Sequence, residues 1–492
     1  MRRLSADETF AIAAIAEVGV FAELRTIPCN DIWWHLATGR IIAATHTIPT
    51  IEPFSYTQAG APYFDQSWIA QLVFYATYHL GGAPLLLAEN ALMLVTTYAL
   101  VCSLAWRRSK DPRVAGWGML LIAVSLGIDN WAVRPQTLAM PLFVVMLGMV
   151  SDAFRFVGTE ERRGLSLAWL PLMMLFWVNL HGSFVLGLLV PGAALAGHLA
   201  QRVIYKTAPE VPLTKICGCL ALTLLATFVN PRGPAIYPYV RRMMTARAMV
   251  ELNFESAPTT PFFFTGAMFF VVSIALAVLL LRGRKGPTSP TWSELSVIAF
   301  VFVQGCMVRR AILWFGFVAT PLLVMLVAER IRSRMPRKDA PGSPVPLAAM
   351  GLLVVLASPW IKPRMPLGAS ARILEDITPV AAVEKLNEER PRPARIFNGV
   401  QFGSYLQFAA PEQKVFIDTR MDFYPYELFQ DYIRLSADKD VDALVAKWGI
   451  DAMLLDKSSQ APLAKAVRND PRWAVRYEDA FSLLVMRAPR VK

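Results

Sequence analysis

The stretch Pro84–Trp106, PLLLAENALMLVTTYALVCSLAW, decides the fold class. Its one charged residue is Glu89. A helix of about 20 mostly apolar residues crosses the hydrocarbon core of a bilayer with every backbone group bonded internally, so the stretch reads as a membrane span. Working outward, comparable apolar stretches alternate with short Arg and Lys clusters as far as Lys338. After Trp360 charged and β-branched residues return at the density of an ordinary globular domain. The chain of 492 residues is 55% hydrophobic and only 17% charged, against about 25% charged in a typical soluble chain. Mean hydropathy is +0.41. Two regions follow: a membrane region, 1–361, with a large first loop, 25–83, and a water-soluble region, 362–492.

The net charge of +12 does not point to nucleic acid, because many of the basic residues sit in short connections between apolar segments, where positive charge fixes orientation. Of the five cysteines, Cys29, Cys102, Cys217, Cys219 and Cys306, four lie in apolar stretches without ligand-like neighbours. Neither a disulfide framework nor a zinc site is indicated, and no cofactor is expected. Arg2 and Arg3 precede a short apolar run with no convincing cleavage site, which reads as an uncleaved first helix.

The basic clusters are Arg2–Arg3, Arg107–Arg113, Arg155–Arg163, Arg202–Lys215, Arg282–Lys285 and Arg330–Lys338. If each is cytoplasmic, two spans must separate each pair. The exception is Trp68–Leu80, about thirteen residues with Gln71 and His79, which reads as a helix along the membrane surface. The expected spans are 9–26, 84–106, 114–130, 136–155, 165–180, 183–201, 214–230, 260–281, 292–308, 311–329 and 345–361. This odd number, about eleven, with the N-terminus inside, places 362–492 outside the cytoplasm. Glu17 and Glu23 interrupt the first span and are expected to face the bundle. The polar clusters at helix ends (Asp31–Arg40, Asp129–Gln136, Asn179–Ser183, Asn230–Gly233, Arg309 and Arg310) then all fall on the outer face, as a site reached from that side requires.

The first loop reads NDIWWHLATGRIIAATHTIPTIEPFSYTQAGAPYFDQSWIAQLVFYATYHLGG from Asn30. Loops of this length are usually functional. Helical spacing over Asp31–Ala44 puts Asp31 and His35 one turn apart on one face. The order Asp31, Gly39, Ile48–Pro49, then Gly60, Pro62, Tyr63, Phe64, Asp65 and Gln66, resembles the GT-C glycosyltransferases that use a polyprenyl-phosphate sugar. The resemblance is in particular to the aminoarabinose transferase and protein mannosyltransferase group. Asp65 and Gln66 stand where that group has Glu and Lys, and Ser67 where it has Pro. The sequence resembles more closely still a broad bacterial set of multi-span proteins in the same superfamily, through DxWWHLATGR (Asp31–Arg40), W-x-N-x-H-G (Trp177–Gly182) and N-P-x-G (Asn230–Gly233), and that resemblance extends to the terminal domain.

The resemblance implies a mainly α, polytopic GT-C-like helical bundle with a C-terminal α/β domain, in the bacterial cytoplasmic membrane. It implies sugar transfer from a polyprenyl-phosphate donor to a lipid or glycan acceptor at the outer face, with inversion. Asp31 is then the expected general base, although Asp is also a favoured helix N-cap and the two roles are compatible. Arg134, Arg232, Arg241, Arg242, Arg309 and Arg310 are candidates for holding the leaving phosphate. His35, Arg40, Asp65 and Gln66 in the loop are candidates for substrate binding. So are Gln136, Asn179 and His181 at the helix ends, and His181 is equally readable as a packing residue. His35 with Asp65 is a weak metal pair, so a divalent metal is unsupported. Trp33 and Trp34 suit either interface anchoring or stacking on a sugar. A non-catalytic transporter or an assembly factor for surface polysaccharide competes with this reading. Transporters, however, place ionisable groups at mid-membrane on broken helices. A ligase using a lipid-linked oligosaccharide is a third reading.

The terminal region alternates in type. AAVEKLNEE, YELFQDYIRLSA, DVDALVAKWGI and APLAKAVRND read as helices, whereas ARIFN, VFIDTR, DAMLLD and a hairpin in WAVRYEDAFSLLVMR read as strands. A small, partly parallel α/β domain is expected, with Asp418, Arg420 and Asp422 at one strand end, either binding a ligand or holding the loop. No phosphate loop, catalytic triad or metal signature appears in it.

Overall fold

The computed structural model describes residues 4–158, 165–206, 210–282, 289–332 and 340–488. Several basic residues used to fix orientation, among them Arg2, Arg3, Arg162, Arg163, Arg284, Lys285, Arg337 and Lys338, lie outside the described residues. The chain forms two compact units. The first comprises Met1–Arg25, Leu87–Pro234 and Phe254–Ala371; the second comprises Thr26–Leu86, Ala235–Asn253 and Arg372–Lys492.

The first unit is helical. Each of the eleven expected spans coincides with a helical segment, but only six described helices are long and apolar enough to cross a membrane. These are Trp68–Ser109, Pro112–Asn130, Pro135–Ala153, Gly182–Tyr205, Phe264–Arg282 and Arg309–Ile331. Leu167–Trp177, Leu213–Ala226, Trp292–Met307 and Val345–Ala357 are shorter apolar helices. Two of them stop early at the W-x-N-x-H-G and N-P-x-G motifs, where side chains replace helical backbone bonds. The helix Ala6–Glu23 falls outside both sets because it carries Asp7, Glu8, Glu17 and Glu23. A capping box of Ser5 and Glu8 starts it.

Burial separates inner from outer helices: 89% of the apolar window of Arg309–Ile331 is buried, against 28% for Phe264–Arg282. Two residues of the first internal basic cluster are neutralised within the bundle. Arg108 meets Glu294 at 2.6 Å, both side chains almost fully buried, and Arg107 meets Asp152 at 2.8 Å.

The long segment Trp68–Ser109 is broken at Gly81 and Gly82, and Gly82 (φ 64°, ψ −160°) adopts a backbone region open to glycine alone. The break separates the expected surface helix from the expected span, and Pro84 follows where a new helix begins.

The second unit is built on a four-stranded sheet of order β1-β2-β4-β3, with β1 Ile396–Asn398, β2 Ala452–Asp456, β3 Trp473–Glu478 and β4 Ser482–Arg487. Only β1 and β2 are parallel. Helices Val380–Glu388, Tyr426–Ser436, Val441–Trp448 and Ala461–Asn469 occur as expected. Phe397, Phe416, Leu428, Met453, Leu463 and Val485 lie in the shared core.

Two expectations change here. The helix Val400–Ala409 was unforeseen, and VFIDTR is not a strand of the sheet. Its backbone is satisfied by the first loop and by the Asn398 side chain instead. Val415 N–H donates to the Phe54 carbonyl (3.0 Å), Tyr56 N–H to the Val415 carbonyl (3.1 Å), and the Thr57 hydroxyl to the Phe416 carbonyl (2.7 Å). The first two of these bonds form a parallel bridge between Ser55 and Val415, and a further bridge joins Ile27 to Leu374. The first loop, assigned from sequence to the membrane region, thus groups with the terminal segment because it supplies that segment's missing backbone partners.

Candidate functional site

Asp31 stands at the start of the helix Ile32–Thr45 with helical dihedrals and makes no side-chain capping bond. The capping role open to it from sequence is therefore not the one it fills. Its half-buried carboxylate is followed one turn later by His35, which is buried. His35 Nδ1 lies 3.4 Å from Gln71 Nε2, and Gln71 Nε2 donates to Asp65 Oδ1 at 2.8 Å. Gln71 thus separates the two residues that read as a weak metal pair. Among the described residues no group of three or more His, Cys, Asp or Glu is placed to hold a metal ion.

Asp65 is 4% exposed and its Oδ2 has no hydrogen-bond partner. Burial pushes its carboxyl up to about 7, against the opposing pull of the Gln71 hydrogen bond and Arg420. Gly39 makes this packing possible, because a Cβ there would lie 2.2 Å from the Gln71 carbonyl oxygen. Gln66 is buried beside Asp65. Arg40 is engaged with the last turn of Val400–Ala409, donating to the Phe408 and Gln407 carbonyls at 3.1 and 3.2 Å.

Phe64 stacks on Tyr239 (centroids 4.4 Å apart), which brings the helix Ile236–Thr245 to the Asp65 segment. Arg241 and Arg242 are exposed on that helix and, with Tyr237, Pro238 and Thr245, line an open cleft of ≈ 490 Å³. Arg242 lies over the Tyr239 ring, and the Tyr239 hydroxyl reaches Asp422 Oδ2 at 3.4 Å. Burial raises the Asp422 carboxyl above its ordinary value.

Asp418 and Arg420 sit in a buried knot. Arg420 grips Glu52 through both terminal nitrogens (2.8 and 2.9 Å) and Asp418 through Nε and Nη2 (2.9 and 2.6 Å). Gln407 Nε2 and the Tyr424 hydroxyl also donate to Asp418. Burial works against the charged form of Asp418, but the Arg420 guanidinium and these bonds prevail and hold the carboxyl below its ordinary value. The geometry is that of the loop-holding alternative. Glu52 carried no recognisable signal, since its partner is 368 residues away.

In the first unit the remaining candidates form two groups. Arg134 pairs with Glu255 through both carboxylate oxygens (2.7 and 2.9 Å), and Gln136 donates to Asn130 at 3.3 Å. Arg309 meets Asp129 at 3.1 Å, its guanidinium packed on Phe254 and Phe263, while Thr265 donates to the same Asp129 oxygen at 2.7 Å. Arg310 follows in the same turn.

The second group knits two motifs together. Asn179 Nδ2 donates to the Val229 carbonyl at 2.8 Å, next to the Asn230–Gly233 turn. Within that turn Arg232 N–H donates to Asn230 Oδ1 at 2.9 Å. His181 Nδ1 accepts from Ser183 N–H at 3.1 Å and caps the short helix Gly182–Val185. Glu255, in the short turn Phe254–Ser256, and Thr265, in the first turn of the helix Phe264–Arg282, were missed from sequence because each has a partner distant in the chain.

No family model matches the chain, and no curated protein matches it. Solved structures do. The archaeal oligosaccharyltransferase AglB of Archaeoglobus fulgidus, in complex with an inhibitory peptide and a dolichol-phosphate, aligns with 98% of this chain and 74% of its own at a TM-score of 0.57 and 12% identity. ArnT of Cupriavidus metallidurans, bound to undecaprenyl phosphate, aligns with 98% of both chains at a TM-score of 0.53 and 14% identity. An Archaeoglobus fulgidus oligosaccharyltransferase in the apo form aligns with 92% of this chain and 71% of its own at a TM-score of 0.55 and 11% identity. Over nearly its whole length the protein shares its fold with AglB and ArnT.

Proposed function

We propose that this multi-pass membrane protein is a glycosyltransferase that moves a sugar from a polyprenyl-phosphate donor to a lipid or glycan acceptor, with inversion, at the outer face of the cytoplasmic membrane. The observation that carries the reading is the end-to-end match with ArnT, a structure bound to undecaprenyl phosphate. The position of Asp31, half-buried at the start of the helix Ile32–Thr45 in the first loop, supports the assignment of a base.

In the proposed reaction the acceptor oxygen attacks the anomeric carbon and gives its proton to Asp31. The bond from that carbon to the phosphate oxygen breaks, and its electron pair leaves with the polyprenyl phosphate. Positive charge placed at the leaving phosphate stabilises the transition state more than the ground state, which is the part a preorganised arginine plays. Arg241 and Arg242, exposed on an open cleft, suit that role; Arg134 and Arg309 would have to share it with Glu255 and Asp129. The N-terminus is cytoplasmic and 362–492 extracytoplasmic in this reading.

The protein purified from its own membrane, extracted with organic solvent and examined by mass spectrometry, is expected to release a polyprenyl phosphate carrying a sugar. Purified protein that carries no such lipid, and transfers nothing from a polyprenyl-phosphate sugar, overturns the proposal.

A further inference from the structure

We propose that the terminal segment is the scaffold of the Asp31-bearing loop and that Arg420 is its positioning residue; this rests on the assignment of Asp31 as base. The loop is held at three places by groups from 372–492. Ile27 and Leu374 form a bridge, and Cys29 N–H donates to Glu375 Oε2 at 3.3 Å. The helix Ile32–Thr45 packs on Val400–Ala409 through Trp33, which meets Tyr405 edge-on at 4.9 Å and Phe408 at 5.4 Å. The third place is Arg420, whose side chain is 3% exposed and whose carboxylate partners Glu52 and Asp418 are fully buried.

Arg420 touches both halves of the loop. Its guanidinium lies 5.9 Å from the ring centre of Trp34, beside His35, and 5.2 Å from that of Tyr63, two residues before Asp65. Glu52 Oε1 in turn accepts the N–H groups of Phe54 and Ser55 at 2.8 and 2.7 Å, fixing the backbone that pairs with Val415. Apolar residues of similar volume often give as much stability as a buried ion pair. What the planar fork adds is geometry: it accepts only one register of the loop on the 415–424 segment. The structure thus assigns the terminal segment the work of presenting Asp31.

The test compares Arg420→Gln, Arg420→Lys and Glu52→Gln in the intact protein, reading kcat, donor KM and the alkylation rate of Cys29 by peptide mass spectrometry. Cys29 is 1% exposed and two residues from Asp31, so it reports release of the loop; Cys102, buried in the helix after the glycine break, reports general unfolding. Removing one partner of a buried pair is expected to raise Cys29 alkylation about tenfold or more while Cys102 stays protected. In the same variants kcat falls about tenfold or more with donor KM within about twofold. Arg420→Lys recovers part of both effects. Unchanged Cys29 reactivity in both Gln variants, or a reactive Cys29 with unchanged kcat, or a rise in KM alone, overturns the proposal. If Arg420→Gln also exposes Cys102, the isosteric Glu52→Gln decides. A wild type without transferase activity removes the proposed function, and the Cys29 comparison then stands alone on whether Arg420 holds the loop.

Discussion

Asp65 carries a cost at neutral pH that the rest of its network does not remove. Its ordinary carboxyl value of 3.8 is raised to about 7 by burial, so between these values the folded protein holds a proton that the unfolded chain releases. Its contribution is therefore most favourable below about 4 and is lost as pH rises through about 7. Asp65→Asn is expected to melt above wild type at pH 8, the difference shrinking as pH falls towards 4; an unchanged difference across that window contradicts the stated origin. At this scale the sequence was legible where order and spacing carry meaning. Asp31, His35 and Asp65 stand out by pattern, and the structure joins His35 and Asp65 through Gln71. Gln71 was visible only as a polar residue in a short apolar run. The Glu52 and Arg420 pair was not legible, because nothing local marks two residues 368 positions apart as partners.

Apolar spacing and turn residues locate most elements, since they are local properties. The glycine break at 81–82 and the hairpin between β3 and β4 were readable for that reason; Asp479 closes the hairpin by accepting from Ser482 N–H at 2.6 Å. VFIDTR misled because three consecutive apolar residues suit a strand, while their partners are first-loop backbone and the Asn398 side chain. Two packing predictions belong here. Gly39→Val places carbon against the Gln71 carbonyl and is expected to cost about 1–3 kcal/mol, read as a lower melting temperature. Trp33→Ala, which empties the contact with Tyr405 and Phe408, is expected to cost about 3–5 kcal/mol in the same measurement. Melting unchanged in both variants would mean that the two helices are not packed as described.

At the scale of the whole molecule, composition was enough to separate apolar helices from a charged terminal region, but not to settle how many helices cross. Six are long enough unaided, and two of the four shorter ones end near motifs whose side chains bond backbone carbonyls at the helix end and in the neighbouring motif. Reporter fusions after residue 158 and at the C-terminus are expected to report opposite sides of the membrane, the former cytoplasmic; the same side for both contradicts the odd number of crossings. The units group residues far apart in sequence, which explains why a boundary drawn by composition at 361 left the first loop with the membrane region. The central claim is sugar transfer with Asp31 as base. The most direct measurement is single-turnover transfer from a polyprenyl-phosphate sugar by reconstituted wild type and Asp31→Asn at equal folded content. Loss of about 10²- to 10⁴-fold in the rate with donor still bound is the predicted result. Transfer at the wild-type rate by the Asn variant would contradict the account.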